Sequence, residues 1–160
     1  CFEFVWGTRQ NRPKAFRLYQ ELGVNYSDNT RRQIAEDYLQ GISVEKDITK
    51  ALHILNEAAD DGDAEALTSL ATKYAYGFDV AQDETLAFQY AMRASKLDDT
   101  PVRALLLLGS SYVLGRGTET DHKKAAYWLE LARERAATDM ERAEAEVWLE
   151  DELGLTILRK

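Results

Sequence analysis

Cysteine occurs once in these 160 residues, as Cys1, so no internal disulfide framework can hold the fold together. Histidine occurs twice, as His53 and His122, with no cysteine partner and no second histidine at ligand spacing, so a zinc-type metal centre is not expected. Positive charge is short: 20 Lys and Arg face 28 Asp and Glu, for a net charge of −8. That balance argues against sequence-independent nucleic-acid binding, which needs a basic footprint, and against docking on an anionic membrane. No apolar run approaches the roughly 20 residues of a membrane span; the longest reaches only from Ala104 to Gly109. Catalytic patterns are missing too. Ser110-Ser111 has no nucleophile elbow around it, Gly115-Arg116-Gly117 is too short to cradle a phosphate, and no acidic run has the spacing of a calcium loop. No enzyme activity, cofactor or small-molecule substrate is therefore expected.

Two prolines and nine glycines leave long uninterrupted segments, rich in Ala, Leu, Glu, Asp and Arg, which favour helix. A composition of 45% hydrophobic and 30% charged residues is that of a folded protein. The most informative feature is a repeat. Tyr38…Gly41…Val44…Asp47…Ala51 returns as Tyr74…Gly77…Val80…Asp83…Ala87 and as Tyr112…Gly115…Asp121…Lys124-Ala125, with offsets of 36 and 38 residues. A period of this size marks a solenoid, whose units bury their apolar faces only by stacking.

Each unit reads as two helices. Ala66, Leu67, Leu70, Ala71 and Tyr74 form one apolar stripe at helical spacing. Gly77 ends that helix, because glycine accepts the left-handed conformation needed there, and Asp83 caps the next. Ala87, Ala91 and Ala94 permit close helix packing. The spacing predicts an all-α, α-α superhelix of about three full helix-turn-helix repeats flanked by half-repeats. Residues 1–160 form a single repeat domain: 1–29 a partial first repeat, 30–62, 63–99 and 100–138 full repeats, and 139–160 a capping helix and tail. The helix expected from Met140 to Leu153 carries many glutamates, as a polar capping face requires.

The pattern resembles the Sel-1-like repeat, a relative of the tetratricopeptide repeat. The third unit carries it best, in Ala104, Leu108-Gly109, Tyr112, Gly115, Gly117, Asp121, Lys124-Ala125, Trp128 and Ala132. The second departs, with Ala71 in place of the family's Gly and Leu86 in place of its Lys. The resemblance implies a superhelix whose first helices line a concave side, a role in protein binding, and no catalytic residues.

Function is then expected among side chains that depart from the repeat on those first helices: Arg31, Asp37, Thr72, Lys73, Arg103, Leu107 and Ser111, with Glu36 and Thr68 at neighbouring phases. Tyr76 and Phe78, large residues beside the second loop, complete the set expected to contact a protein or peptide partner. The apolar segment Phe2, Phe4 and Trp6 reads as a cut repeat. Cys1 has two readings: a truncation point within a longer protein, or the lipid-anchored first residue of a mature bacterial envelope protein. The second would suit an immunity protein that neutralises a secreted toxin, in the periplasm or cell envelope; the first leaves open the cytoplasm and a regulatory domain of a larger enzyme or membrane protein.

Overall fold

The computed structural model describes residues 27–42, 44–152 and 154, which divide into two compact units, one ending at Asp61 and one beginning at Gly62. Cys1, the apolar segment Phe2 to Trp6, the partial first repeat before Ser27, and the tail after Gly154 lie outside the described residues.

The first unit contains α1 (Asp28–Gln40) and α2 (Ile48–Asp60). Ser27 caps α1 by accepting from the Thr30 N–H, and Asp47 caps α2 by accepting from the Lys50 N–H. Ile34, Ala35, Tyr38 and Leu39 of α1 and Ala51, Leu55, Ala58 and Ala59 of α2 are buried as the helices pack together. Lys50, Glu57 and Asp60 stand on the exposed side of α2, as on any amphipathic helix, whereas Asp37 of α1 is buried.

The second unit contains α3 (Ala64–Tyr76), α4 (Glu84–Ala94), α5 (Val102–Leu114), α6 (His122–Arg135) and α7 (Asp139–Val147), which runs into a π-helical turn, Trp148–Glu152. Each helix packs on the next, and α5 also packs on α3 and on α7. The core follows that order. Leu107 and Leu108 meet Ala71 of α3 and Ala91 of α4, whereas Leu105 and Leu106 meet Leu129, Ala132, Ala145 and Leu149 further along. Trp128 packs against both clusters. Fully burying one leucine is worth about 1.5–3 kcal/mol, so Leu67, Leu70, Leu105, Leu108 and Leu129, all 2% exposed or less, dominate this core. The helix expected from Met140 to Leu153 changes to i→i+5 bonding after Val147. Its outer side is not purely polar, since Met140 and Val147 are exposed beside the glutamates.

The Tyr…Gly…Asp echo has a single physical origin. Gly41, Gly77 and Gly115 adopt φ of 66°, 71° and 68°, and the N–H of each bonds back to Asp37, Lys73 and Ser111. The next N–H, on Ile42, Phe78 and Arg116, reaches the same three carbonyls at 3.3, 3.0 and 3.0 Å. Each connector is then tied down by the N–H of Asp47, Asp83 or Asp121, which donates to the carbonyl of Tyr38, Tyr74 or Tyr112 at 3.0, 2.9 and 3.0 Å.

The second repeat's departures are compensated locally. At Gly109 an added Cβ would stand 2.4 Å from Leu129 Cγ, so the large residue across from it demands glycine. In the preceding repeat Ala71 and Ala91 hold those two positions, and both are fully buried. Lys50 and Lys124 lie over the rings of Tyr38 and Tyr112, each 5.4 Å from the centroid. Leu86 cannot do this, and there Tyr74 stacks on Tyr90 instead, at 5.8 Å and 10°.

Candidate interaction groove

Three first helices, α3, α5 and α7, leave a groove of about 280 Å³ between them. Thr72 and Tyr76 line it from α3, and Arg103, Leu106, Leu107 and Ser110 from α5. Met140, Glu141 and Glu144 of α7, with Trp148 of the π-helical turn, form its other wall. Leu106 and Leu107 belong to the buried core as well and close the groove from beneath, while the other lining residues are less buried. Thr72 and Ser110 occupy the same repeat position, and their hydroxyls donate to the carbonyls of Thr68 and Leu107 at 2.9 and 3.1 Å. With those donors satisfied on their own helices, the apolar part of the surface comes from Tyr76, Met140, Trp148 and the leucines, and Arg103, Glu141 and Glu144 supply a polar part of similar extent.

The charges are distributed unevenly. Glu141 accepts from the N–H groups of Ala137 and Thr138 at 3.0 and 3.2 Å, as half of a capping box with Thr138. Among the described residues, Glu144 and the exposed Arg103 have no ion pair, with each other or with any other group. Lys73 is held by Asp79 at 3.2 Å, and Arg116 lies 3.6 Å from Glu84. A smaller depression of about 30 Å³ adjoins the groove, sharing Tyr76, Leu107 and Ser110 with it. Phe78 lines neither hollow but stands beside Tyr76, the two 57% and 60% exposed, with ring centroids 5.7 Å apart. The loop they open contains Asp79 at φ 64°, the one non-glycine residue with positive φ among those described.

Size limits the occupant. Pockets for drug-sized ligands run about 300–1,000 Å³ and are largely enclosed. The groove lies at the lower edge of that range, with room for one or two protruding side chains. Among the described residues, no cluster of three His, Cys, Asp or Glu is arranged to hold a metal ion. No helix there is long and apolar enough to cross a membrane.

Of the residues expected at a partner surface, Thr72, Tyr76, Arg103 and Leu107 come together in this groove, and Phe78 flanks it through Tyr76. Asp37, Lys73 and Ser111 share one repeat position, whose carbonyl receives the two capping N–H groups described above. Asp37 and Ser111 are each 6% exposed there. Thr68 is buried and donates to the Ala64 carbonyl at 2.8 Å. In the first unit, Arg31 bonds to Asp61 and lies 3.8 Å from Asp28. The Asp61 hydrogen bond raises the guanidinium's pKa above its ordinary value. Sequence reasoning missed Leu106, Ser110, Met140, Glu141, Glu144 and Trp148. Ser110 was within reach as the repeat counterpart of Thr72, and Leu106 as the counterpart of Thr68.

The profile of the Sel1 repeat matches residues 5–22, 33–63, 64–99 and 102–136. No curated protein matches the chain. Among solved structures, a Sel1 repeat protein from Oxalobacter formigenes aligns over 91% of this chain and 59% of its own, with 21% identity and a TM-score of 0.75. A protective antigen present in uropathogenic Escherichia coli strains, with an SLR fold, aligns over 93% of this chain and 31% of its own, with 21% identity and a TM-score of 0.73. The chain thus spans less than two thirds of either neighbour. At that identity the likeness establishes the fold, an all-α solenoid. With four profile matches across it, the chain belongs to the Sel1 repeat family, whose members generally act as protein-interaction scaffolds rather than catalysts.

Proposed function

We propose that this chain is a non-catalytic scaffold that binds a protein or peptide segment in the groove between α3, α5 and α7. One observation carries the reading: the groove leaves Tyr76 60% and Met140 81% exposed, beside a floor of Leu106 and Leu107. Large apolar side chains gathered around one concavity are the ordinary composition of a protein-binding site. The buried repeat residues build the scaffold, and the side chains lining the groove give it a particular surface.

A photo-cross-linking amino acid at Met140, in the organism that makes the protein, tests this directly. The expected product is a discrete conjugate with one protein, absent when the same group replaces Glu134 on α6. The substitutions Tyr76→Ala and Met140→Asp should abolish the conjugate formed from a probe at Ser110 in the groove while leaving the thermal midpoint within a few degrees. Equal labelling from Glu134 and Met140, or none from either, would sink the proposal.

A further inference from the structure

We infer that the groove selects a segment bearing a basic side chain beside a bulky apolar one, the cation drawn to the α7 wall and the apolar group seated on Leu106, Leu107 and Trp148. This rests on the groove being the binding site.

Three observations converge on the polarity. Glu144 lines the groove and has no ion pair among the described residues, so its carboxylate is available to an incoming cation. It belongs to an acidic stretch: Asp139 to Glu150 holds five carboxylates and one arginine, and those charges act together on an approaching segment. On the opposite wall, the exposed ring of Tyr76 offers a π face that attracts guanidinium and ammonium groups and does nothing for a carboxylate. The cations nearby are mostly spoken for, Lys73 by Asp79 and Arg116 by Glu84. Arg103 alone opposes the trend. It stands in the first turn of α5, where its fork can donate to a backbone carbonyl of the bound segment and so orient it without setting its charge.

Fluorescent peptides of one length, with a central leucine or tryptophan flanked by Lys and Arg, by Asp and Glu, or by Ser, distinguish the alternatives by anisotropy. The basic series should bind, and more weakly as salt rises through the range where surface charges are screened. The substitution Glu144→Gln should weaken binding about tenfold, which is about 1.4 kcal/mol, with the circular dichroism spectrum unchanged. Arg103→Gln should weaken all series alike, leaving the preference for the basic one intact. Tight binding of the acidic series, abolished by Arg103→Gln, overturns the inference, as does equal binding of the serine series. If no series binds but Met140 still cross-links to a protein, the charge preference is wrong and the groove reading stands. If cross-linking fails as well, the groove reading itself is lost.

Discussion

A methyl group added at position 109 would collide with Leu129, whereas the same methyl is already present at Ala71, across from Ala91. The two positions therefore work as a volume pair. Replacing Gly109 with Ala should cost about 1–3 kcal/mol by overpacking, and Leu129→Ala alone about 2–5 kcal/mol by leaving a cavity. The double variant recreates the arrangement of the preceding repeat and should lose clearly less than the sum, as urea unfolding will show; strict additivity would mean that the two side chains do not couple. Residue-level signals were read well where they constrain the backbone. Gly77 and Gly115 announced left-handed caps, and Asp83 and Asp121 announced helix starts, because few residues satisfy those geometries. Asp79 was not legible, since it holds the repeat position of Gly117 and takes up the same left-handed conformation without being glycine.

At the scale of the element, the aspartate caps decide where second helices begin. Asp121 accepts from the N–H groups of Lys123 and Lys124 at 3.1 and 3.0 Å. The Lys124 backbone hydrogen bond holds its carboxyl below the ordinary value of 3.8. A depressed folded value means that the ionised cap contributes stability above the ordinary pKa and loses it as pH falls through the folded one. The stability gap between the native chain and Asp121→Ala should therefore be constant near neutrality and narrow below about pH 3.8. Denaturant titrations at a series of pH values measure it, and a gap that widens in acid would contradict the assignment. Helix phase was harder to read than helix ends. Each residue turns the helix by about 100°, so an error of one position separates Ser111, which is buried, from Ser110, which lines the groove. The α7 wall is not legible in the sequence, because its run of glutamates has the pattern of a polar capping face. Its place beside α5 depends on contacts between separate repeats, which no local pattern encodes.

Across the molecule, apolar burial is spread unevenly among the helices of the second unit. Helix α5 contributes eight buried residues, and α7 contributes one, Ala145, with Leu149 following in the π-helical turn. Repeat arrays open by local unfolding rather than all at once. Amide hydrogen exchange should accordingly be slowest in α5 and markedly faster in α7, with the gap reduced when a partner occupies the groove. Comparable protection in both helices would show that α7 is held by more than these contacts. The family and the all-α architecture were legible because three copies of one pattern average out local ambiguity. The groove was not, because its walls come from residues that do not repeat.

The capping aspartate follows the capping glycine by six positions in every repeat, Gly41 to Asp47, Gly77 to Asp83 and Gly115 to Asp121. The period nevertheless changes from 36 to 38. The change falls after the second helix: Ser95 to Pro101 is four residues longer than its counterpart Asp61 to Asp63, and α4 is two residues shorter than α2, which leaves a net gain of two. The chain thus has a rigid seam and an elastic one. A short epitope tag spliced between Asp98 and Asp99 should leave the protein folded, whereas the same tag between Val80 and Ala81 should separate the Asp83 N–H from the Tyr74 carbonyl and unfold α4 first. Anyone wishing to lengthen, label or splice such a chain has been told by its own spacing where to cut.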